Sequence, residues 1–190
     1  DTAQAGALWL GGRIEDLAAA KAVLMIGANL RKEQPLLAAR LRQSVKKGTA
    51  LSVIGLANDA LLMSSHARVT VSPADLLRTT TAVLAAVATL KGADMPAVAQ
   101  GMTPCMQTQA MAQSLCDAEG GFVVLGNLAQ HSPVFGGLLA VANEIAKLTG
   151  ARVGVLGEAA NSVGAELVFK PSAGGQNAEQ MRSGTTKKAY

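Results

Sequence analysis

This chain writes one pattern twice. Val23 to Pro35 reads VLMIGANLRKEQP, and Val123 to Pro133 reads VVLGNLAQHSP. Each is an apolar run closed by glycine, followed by Asn-Leu and by a proline six positions after the asparagine. The likeness continues: Gly27, Asn29, Pro35, Gly48 and Gly55 correspond in order to Gly126, Asn127, Pro133, Gly150 and Gly157, and the last two glycines of each set stand seven apart. Glycine and asparagine tolerate the backbone of a tight corner. Proline suits the first position of a helix, where the amide it lacks has no partner in any case. Each unit therefore reads strand, corner, helix, strand, a right-handed crossover between parallel strands.

Short apolar runs alternate with longer periodic ones along the rest of the chain. Ala22 to Ile26, Leu51 to Ile54, Arg68 to Val71, Phe122 to Leu125 and Arg152 to Leu156 predict strands, nearly continuous in Val, Leu and Ile, as strands covered on both faces are. Between them the pattern predicts helices over Pro35 to Lys47, Pro73 to Leu90, Pro104 to Ala118 and Pro133 to Leu148, with a shorter one from Ile14 to Ala20. Ser72-Pro73, Thr103-Pro104 and Ser132-Pro133 each pair a capping residue with a helix-starting proline, and Asp75 completes a box with Ser72. Gly48 and Gly150 stand where helices end in left-handed backbone. The expectation is one α/β domain over 1–190, in two pseudo-repeated halves, 13–100 and 101–190. Its sheet is doubly wound, mostly parallel and Rossmann-like, with about five strands and helices on both faces.

Composition agrees with a sizeable core. Of 190 residues 49% are hydrophobic but only 3% aromatic, so the interior must be built from small aliphatic side chains. A chain of this size buries about two thirds of its unfolded surface. The net charge of +4 comes from scattered residues such as Arg40, Arg42, Lys46 and Lys47. A nucleic-acid groove needs a denser stripe with stacking aromatics, so no nucleic-acid partner is expected. The longest uncharged stretch, between Glu119 and Glu144, holds Asn127, Gln130, His131, Ser132 and Pro133 in its middle. A bilayer core does not accept such a loop, and no direct membrane insertion is expected. Cys105 and Cys116 are too few for a cluster and read as core thiols, while Met102, Met106 and Met111 read as core filler. The opening at Asp1, with no leader pattern, reads as part of a longer chain.

If the first strands of the two units are neighbours, their helices leave to opposite faces and a crevice opens between the loops Gly27 to Gln34 and Gly126 to Ser132. Helix amino ends there would offer N–H groups to a phosphate. The candidate binding residues are accordingly Gly27, Ala28, Asn29, Gly126, Asn127 and His131. Each also has a plain reading as a turn residue or a loop histidine bonded to backbone. Asp59 and Glu158 leave strands at the same end of the sheet and read equally as caps. Signatures of catalysis are sparse. Neither strand-turn carries G-x-G-x-x-G, and there is no G-x-x-x-x-G-K-[ST] and no G-x-S-x-G. His66 and His131 stand far apart without a second ligand at helical spacing, so no catalytic residue and no metal site is assigned.

The stretch AKAVLMIGANLRKEQPLLAARLRQSVKKG resembles the G-[ST]-N-P-R-x-E-x-P-x-x-x-x-R-[LI]-R segment of the molybdopterin oxidoreductase superfamily. Gly27, Asn29, Arg31, Glu33, Pro35, Arg40 and Arg42 carry the likeness. SPADLLRTTTAVL resembles that family's P-G-[TS]-D segment. LTGARVGVLGEAANSVGA is similar to the G-x-x-x-G-x-L-x-x-x-x-N-x-x-G-A stretch of one branch, the large iron-sulfur subunits of respiratory complex I. The closing GGQNAEQMRSGTTKKAY resembles the helix and lead-in to a further strand of that branch.

This resemblance runs from about Arg13 onward and implies a non-catalytic scaffold domain in the peripheral arm of an NADH:quinone oxidoreductase, on the cytoplasmic face of a bacterial inner membrane. Its implied partners are the remainder of its own subunit and other peripheral-arm subunits. Iron-sulfur clusters would belong to other parts of the intact subunit, with no cofactor expected here. In molybdenum enzymes of the superfamily, the strand after the first crossover ends in an Asp-Pro-Arg-like turn that helps hold the guanine end of the cofactor. Here that turn reads VIGLANDA, Val53 to Ala60, so molybdopterin guanine dinucleotide is not expected either. Two other roles compete. A module retaining a pterin dinucleotide or another phosphate ligand predicts stabilisation by guanine nucleotides. An independent enzyme predicts a deep pocket around a strongly perturbed acid or base.

Overall fold

Ala22, Leu24 and Ile26 face one side of a strand whose Val23 and Met25 face the other, and all five are buried. This is the central strand of the computed structural model, which describes residues 8–58, 60–168 and 182. The strands are β1 (Ala22–Ile26), β2 (Ala50–Gly55), β3 (Ala67–Thr70), β4 (Phe122–Leu125) and β5 (Arg152–Val155). They form one sheet in the order β3-β2-β1-β4-β5, and every neighbouring pair is parallel. The expected doubly wound α/β fold is therefore present, with an all-parallel sheet.

The helices are α1 (Ile14–Ala19), α2 (Leu30–Glu33), α3 (Pro35–Lys46), α4 (Leu76–Lys91), α5 (Met106–Asp117), α6 (Asn127–Gln130), α7 (Phe135–Thr149) and α8 (Ser162–Val168). Successive strand side chains point to opposite faces, and the sheet separates two cores accordingly. On one face Leu17 of α1 and Leu37 and Leu41 of α3 pack with Val23, Met25, Leu51, Val53, Phe122 and Val124. On the other, α4, α5 and α7 place Val83, Leu84, Val87, Met111, Leu115, Leu138 and Ile145 against Leu24, Ile26, Ile54, Val123 and Leu125. Each fully buried side chain of this kind contributes about 1.5–3 kcal/mol from area removed from water. The chain between β3 and β4 runs through α4 and α5 and returns to the far side of β1. The strand order consequently reverses between β1 and β4, the neighbours that end in the paired glycine corners.

Several boundaries differ from the sequence reading. Pro35 does open α3, but Pro73 begins a short 3₁₀ turn, Pro73–Asp75, ahead of α4. The Ser72 hydroxyl donates to the Asp75 carboxylate at 2.8 Å instead of capping backbone. Pro104 and Pro133 each lie two residues before their helices, whose N-caps are Cys105 and Val134. Cys105 is exposed there and Met106 is 77% exposed, so neither belongs to the core; Met111 is fully buried, as expected. Gly48 and Gly150 follow their helices with φ of 104° and 75°, the left-handed backbone anticipated for them. At the β5 edge Val155 N–H donates to the Trp9 carbonyl at 2.8 Å, so the stretch before α1 runs along that edge. Among the described residues, no helix is long and apolar enough to cross a membrane. The closing stretch from Gly174 to Tyr190, apart from Arg182, and Asp59 lie outside the described residues.

Candidate functional site at the carboxyl edge of the sheet

The two glycine corners stand side by side. Hydrogen bonds extend the parallel ladder one step past the strands: Gly27 N–H donates to Ile54 O at 2.9 Å, Gly126 N–H to Ile26 O at 2.8 Å, and Leu156 N–H to Leu125 O at 2.9 Å. A further bond, Ala129 N–H to Gly27 O at 3.2 Å, joins the second corner to the first. Gly27 has φ of 59°, and a side chain there would lie 2.8 Å from the Ala129 nitrogen. A Cβ on Gly126 would overlap Ala28 and come within 2.6 Å of Gly27 O. The glycines let two loops touch. The crevice expected between them is filled at its base by the loops themselves.

Asn29 and Asn127 hold matching places but make different contacts. The Asn29 N–H donates to the Glu33 carboxylate at 3.2 Å, at the head of the single-turn helix α2. Asn127 opens α6, and its side-chain oxygen accepts from Gln130 Nε2 at 3.2 Å. Gln130 Nε2 also donates to Leu156 O at 2.7 Å. Gln34 Nε2 donates to Gly157 O at 2.9 Å, so glutamines from both corners hold the chain leaving β5. Arg31 Nη1 donates to Ala60 O at 2.7 Å, fastening α2 to the loop after β2. The long polar side chains of this edge thus reach neighbouring loop carbonyls.

His131 lies over the second corner with its side chain 62% exposed. Its Nδ1 is 2.9 Å from Asn127 O, and its Nε2 is 3.3 Å from Glu158 Oε1. Sequence reasoning named both His131 and Glu158 without pairing them, because the partners come from different loops. Among the described residues no group of three His, Cys, Asp or Glu side chains could hold a metal ion. His66 sits elsewhere, its backbone N–H donating to Leu51 O before β3 begins.

Open space at this end lies beside the corners. One cavity of about 420 Å³ is bounded by Leu56, Leu76, Leu128, His131 and Pro133 on the α4 face. Another of about 730 Å³ lies on the α3 face, bounded by Trp9, Leu36, Leu156 and Val163. Both are mainly apolar. Neither is legible in the order of residues, since each is assembled from segments far apart in the chain.

An all-parallel doubly wound sheet with glycine corners at its reversal point defines the α/β nucleotide-fold class of domain. Within that class the chain belongs to the molybdopterin oxidoreductase family, whose profile matches residues 2–190. A search of curated proteins returns no match. Among solved structures, the chain is similar to a chain of the formyltransferase/hydrolase complex of Methylorubrum extorquens, solved with methylofuran. The TM-score is 0.54 at 11% identity, over 78% of this chain and 40% of that one. A likeness at that identity speaks for the fold, and the chain spans well under half of the protein it resembles.

The family name raises the question of a pterin dinucleotide. A diphosphate placed at the switch point would need room between the corners, where Gly126 lies against Ala28 and Gly27. The residues present do not fit the group at that place.

Proposed function

We propose that this chain is a non-catalytic structural domain of the molybdopterin oxidoreductase family, serving within the large iron-sulfur subunit of an NADH:quinone oxidoreductase. In this reading it packs against the remainder of its own subunit and against other peripheral-arm subunits, on the cytoplasmic face of a bacterial inner membrane. The iron-sulfur clusters of the intact subunit lie elsewhere. The reading rests on the motif residues from Gly27 to Arg42 and on the Gly150 to Ala165 stretch. The single observation that supports the non-catalytic part is the contact between the Gly27 and Gly126 corners, which closes the base of the crevice outside which a ligand of this fold class would sit. The Asn161 side chain lies over Gly164 so closely that a methyl group there would overlap it. That is a packing reason for the N-x-x-G spacing, independent of any ligand.

A ligand-holding module is the second reading, favoured by the cavity of about 420 Å³ beside His131. Thermal melting with and without GDP separates the two, because a ligand bound only by the folded state raises the transition temperature. The scaffold reading expects no shift at millimolar GDP and no NADH oxidation by the purified chain. A saturable rise in melting temperature that is lost in His131→Ala would favour the module, and NADH turnover would overturn the scaffold.

A further inference from the structure

The only tryptophan of the chain lies on its surface. Trp9 is 55% exposed and stands with Ile14, 45% exposed, and Leu36, 81% exposed, around the cavity of about 730 Å³ on the α3 face. Its backbone is already fixed, since its carbonyl accepts from Val155 N–H on the edge of the sheet. A residue whose backbone is fixed before binding has less freedom to lose when a partner covers it, and tryptophan is over-represented among the residues that dominate interface energies.

The rim of the groove is cationic. Arg13 and Arg40 both reach a single carboxylate, that of Glu15, at 3.7 and 3.6 Å. Asp16 does not rebalance them, because its carboxylate is bound to Arg152 at 2.9 Å. The amino end of α3, where Leu36 lies, adds the positive end of a twelve-residue helix. Two guanidiniums and a helix amino end therefore face one glutamate. A second copy docking face to face would bring this excess against itself, since a two-fold contact pairs each patch with its own kind.

We infer that the groove around Trp9, Ile14 and Leu36 is a docking site for an acidic amphipathic helix, a polypeptide segment that sets apolar side chains into the groove and carboxylates against Arg13 and Arg40. Helix-in-groove recognition of this kind needs apolar anchors one helical turn apart with charges beside them. The inference names a partner chemistry for the scaffold role proposed above and rests on that reading for its biological setting.

Trp9 is also the reporter, because its fluorescence comes from this groove alone. The 190-residue chain is titrated with a synthetic helical peptide bearing Leu at successive turns and Glu on the flanks, and with a second peptide carrying Lys in place of each Glu. The expected result is a saturable blue shift of Trp9 emission, with the Glu peptide binding at least about tenfold more tightly than the Lys peptide. Leu36→Asp should abolish the shift, and Arg13→Glu with Arg40→Glu should reverse the preference. These side chains are exposed, so circular dichroism of the variants should match the parent. No shift with either peptide, or equal affinity for both, overturns the proposal. A blue shift that grows with protein concentration alone, with a doubled mass in solution, overturns it in favour of a second copy. Stabilisation by GDP would sink the scaffold reading and leave the peptide result standing, so the two failures are distinguishable.

Discussion

Gly27 and Gly126 meet backbone to backbone, and a methyl group at either position has no space. Gly27→Ala adds to this the strain of a side chain at φ 59°. Each substitution should cost about 1–3 kcal/mol in urea unfolding, as overpacking and a left-handed alanine do. Gly136 is the control, since it lies in α7 with nothing near its missing Cβ. Gly136→Ala should leave stability unchanged or raise it by up to about 1 kcal/mol. Ser52 presents the opposite case: it is 1% exposed in β2, and its hydroxyl has no hydrogen-bond partner. A buried unpaired hydroxyl costs on the order of 1–3 kcal/mol. Ser52→Ala should therefore stabilise the chain by about 1 kcal/mol, and a lower urea midpoint would contradict that accounting.

At the scale of elements, α5 and the pairing of α1 with β5 each carry a test. The exposed Cys105 thiol sits at the N-cap of α5, where the Thr108 backbone amide, with help from its hydroxyl, holds the thiol below the usual range. Cys116, toward the other end of α5, is pushed up by burial. The thiolate is the reactive form. Iodoacetamide at mildly alkaline pH should thus modify Cys105 well before Cys116, as peptide mass mapping would register; the reverse order would refute the placement. Asp16 ties α1 to β5. Its carboxyl lies below the usual carboxylate range, first because it accepts from the Arg13 backbone amide and second because it accepts from Arg152. A depressed folded value contributes stability above the unfolded value and loses it as pH falls through the folded one. Asp16→Asn should therefore lower stability at neutral and alkaline pH, where that contribution is present, and flatten the acid limb of a stability-versus-pH curve, the two proteins converging at low pH.

For the molecule as a whole, the edge at β5 offers the clearest test. Gly154 lies so close to Leu10 that a Cβ would overlap its carbonyl, and Gly11 presses the same way on Val153. Gly154→Ala should lift the stretch before α1 from the sheet. Trp9 emission would move to the red and protease would cut ahead of Ile14, while the five-stranded core stayed folded by circular dichroism. Much of that core was open to inspection in the amino-acid order. All five strands fall within a residue or so of their expected places, because runs such as Ala22 to Ile26 are apolar on both faces. Helix starts were harder. Pro73, Pro104 and Pro133 mark the approach to a helix without opening an α-helix, since proline also suits the extended residues and tight turns that lead into one.

The order of residues alone determined the class of fold. Doubled strand-corner-helix units with two-sided apolar strands have few ways to bury themselves other than a parallel sheet covered on both faces. It also marked the glycines as corners. What those corners do was decided only in three dimensions, because the distance between Gly27 and Gly126 depends on β1 and β4 becoming neighbours across nearly a hundred residues of chain. The same holds for the groove at Trp9, whose walls come from both ends of the described chain and from α3. Local pattern dictates which face of a strand or helix is apolar, but the space left between elements is set by how they pack.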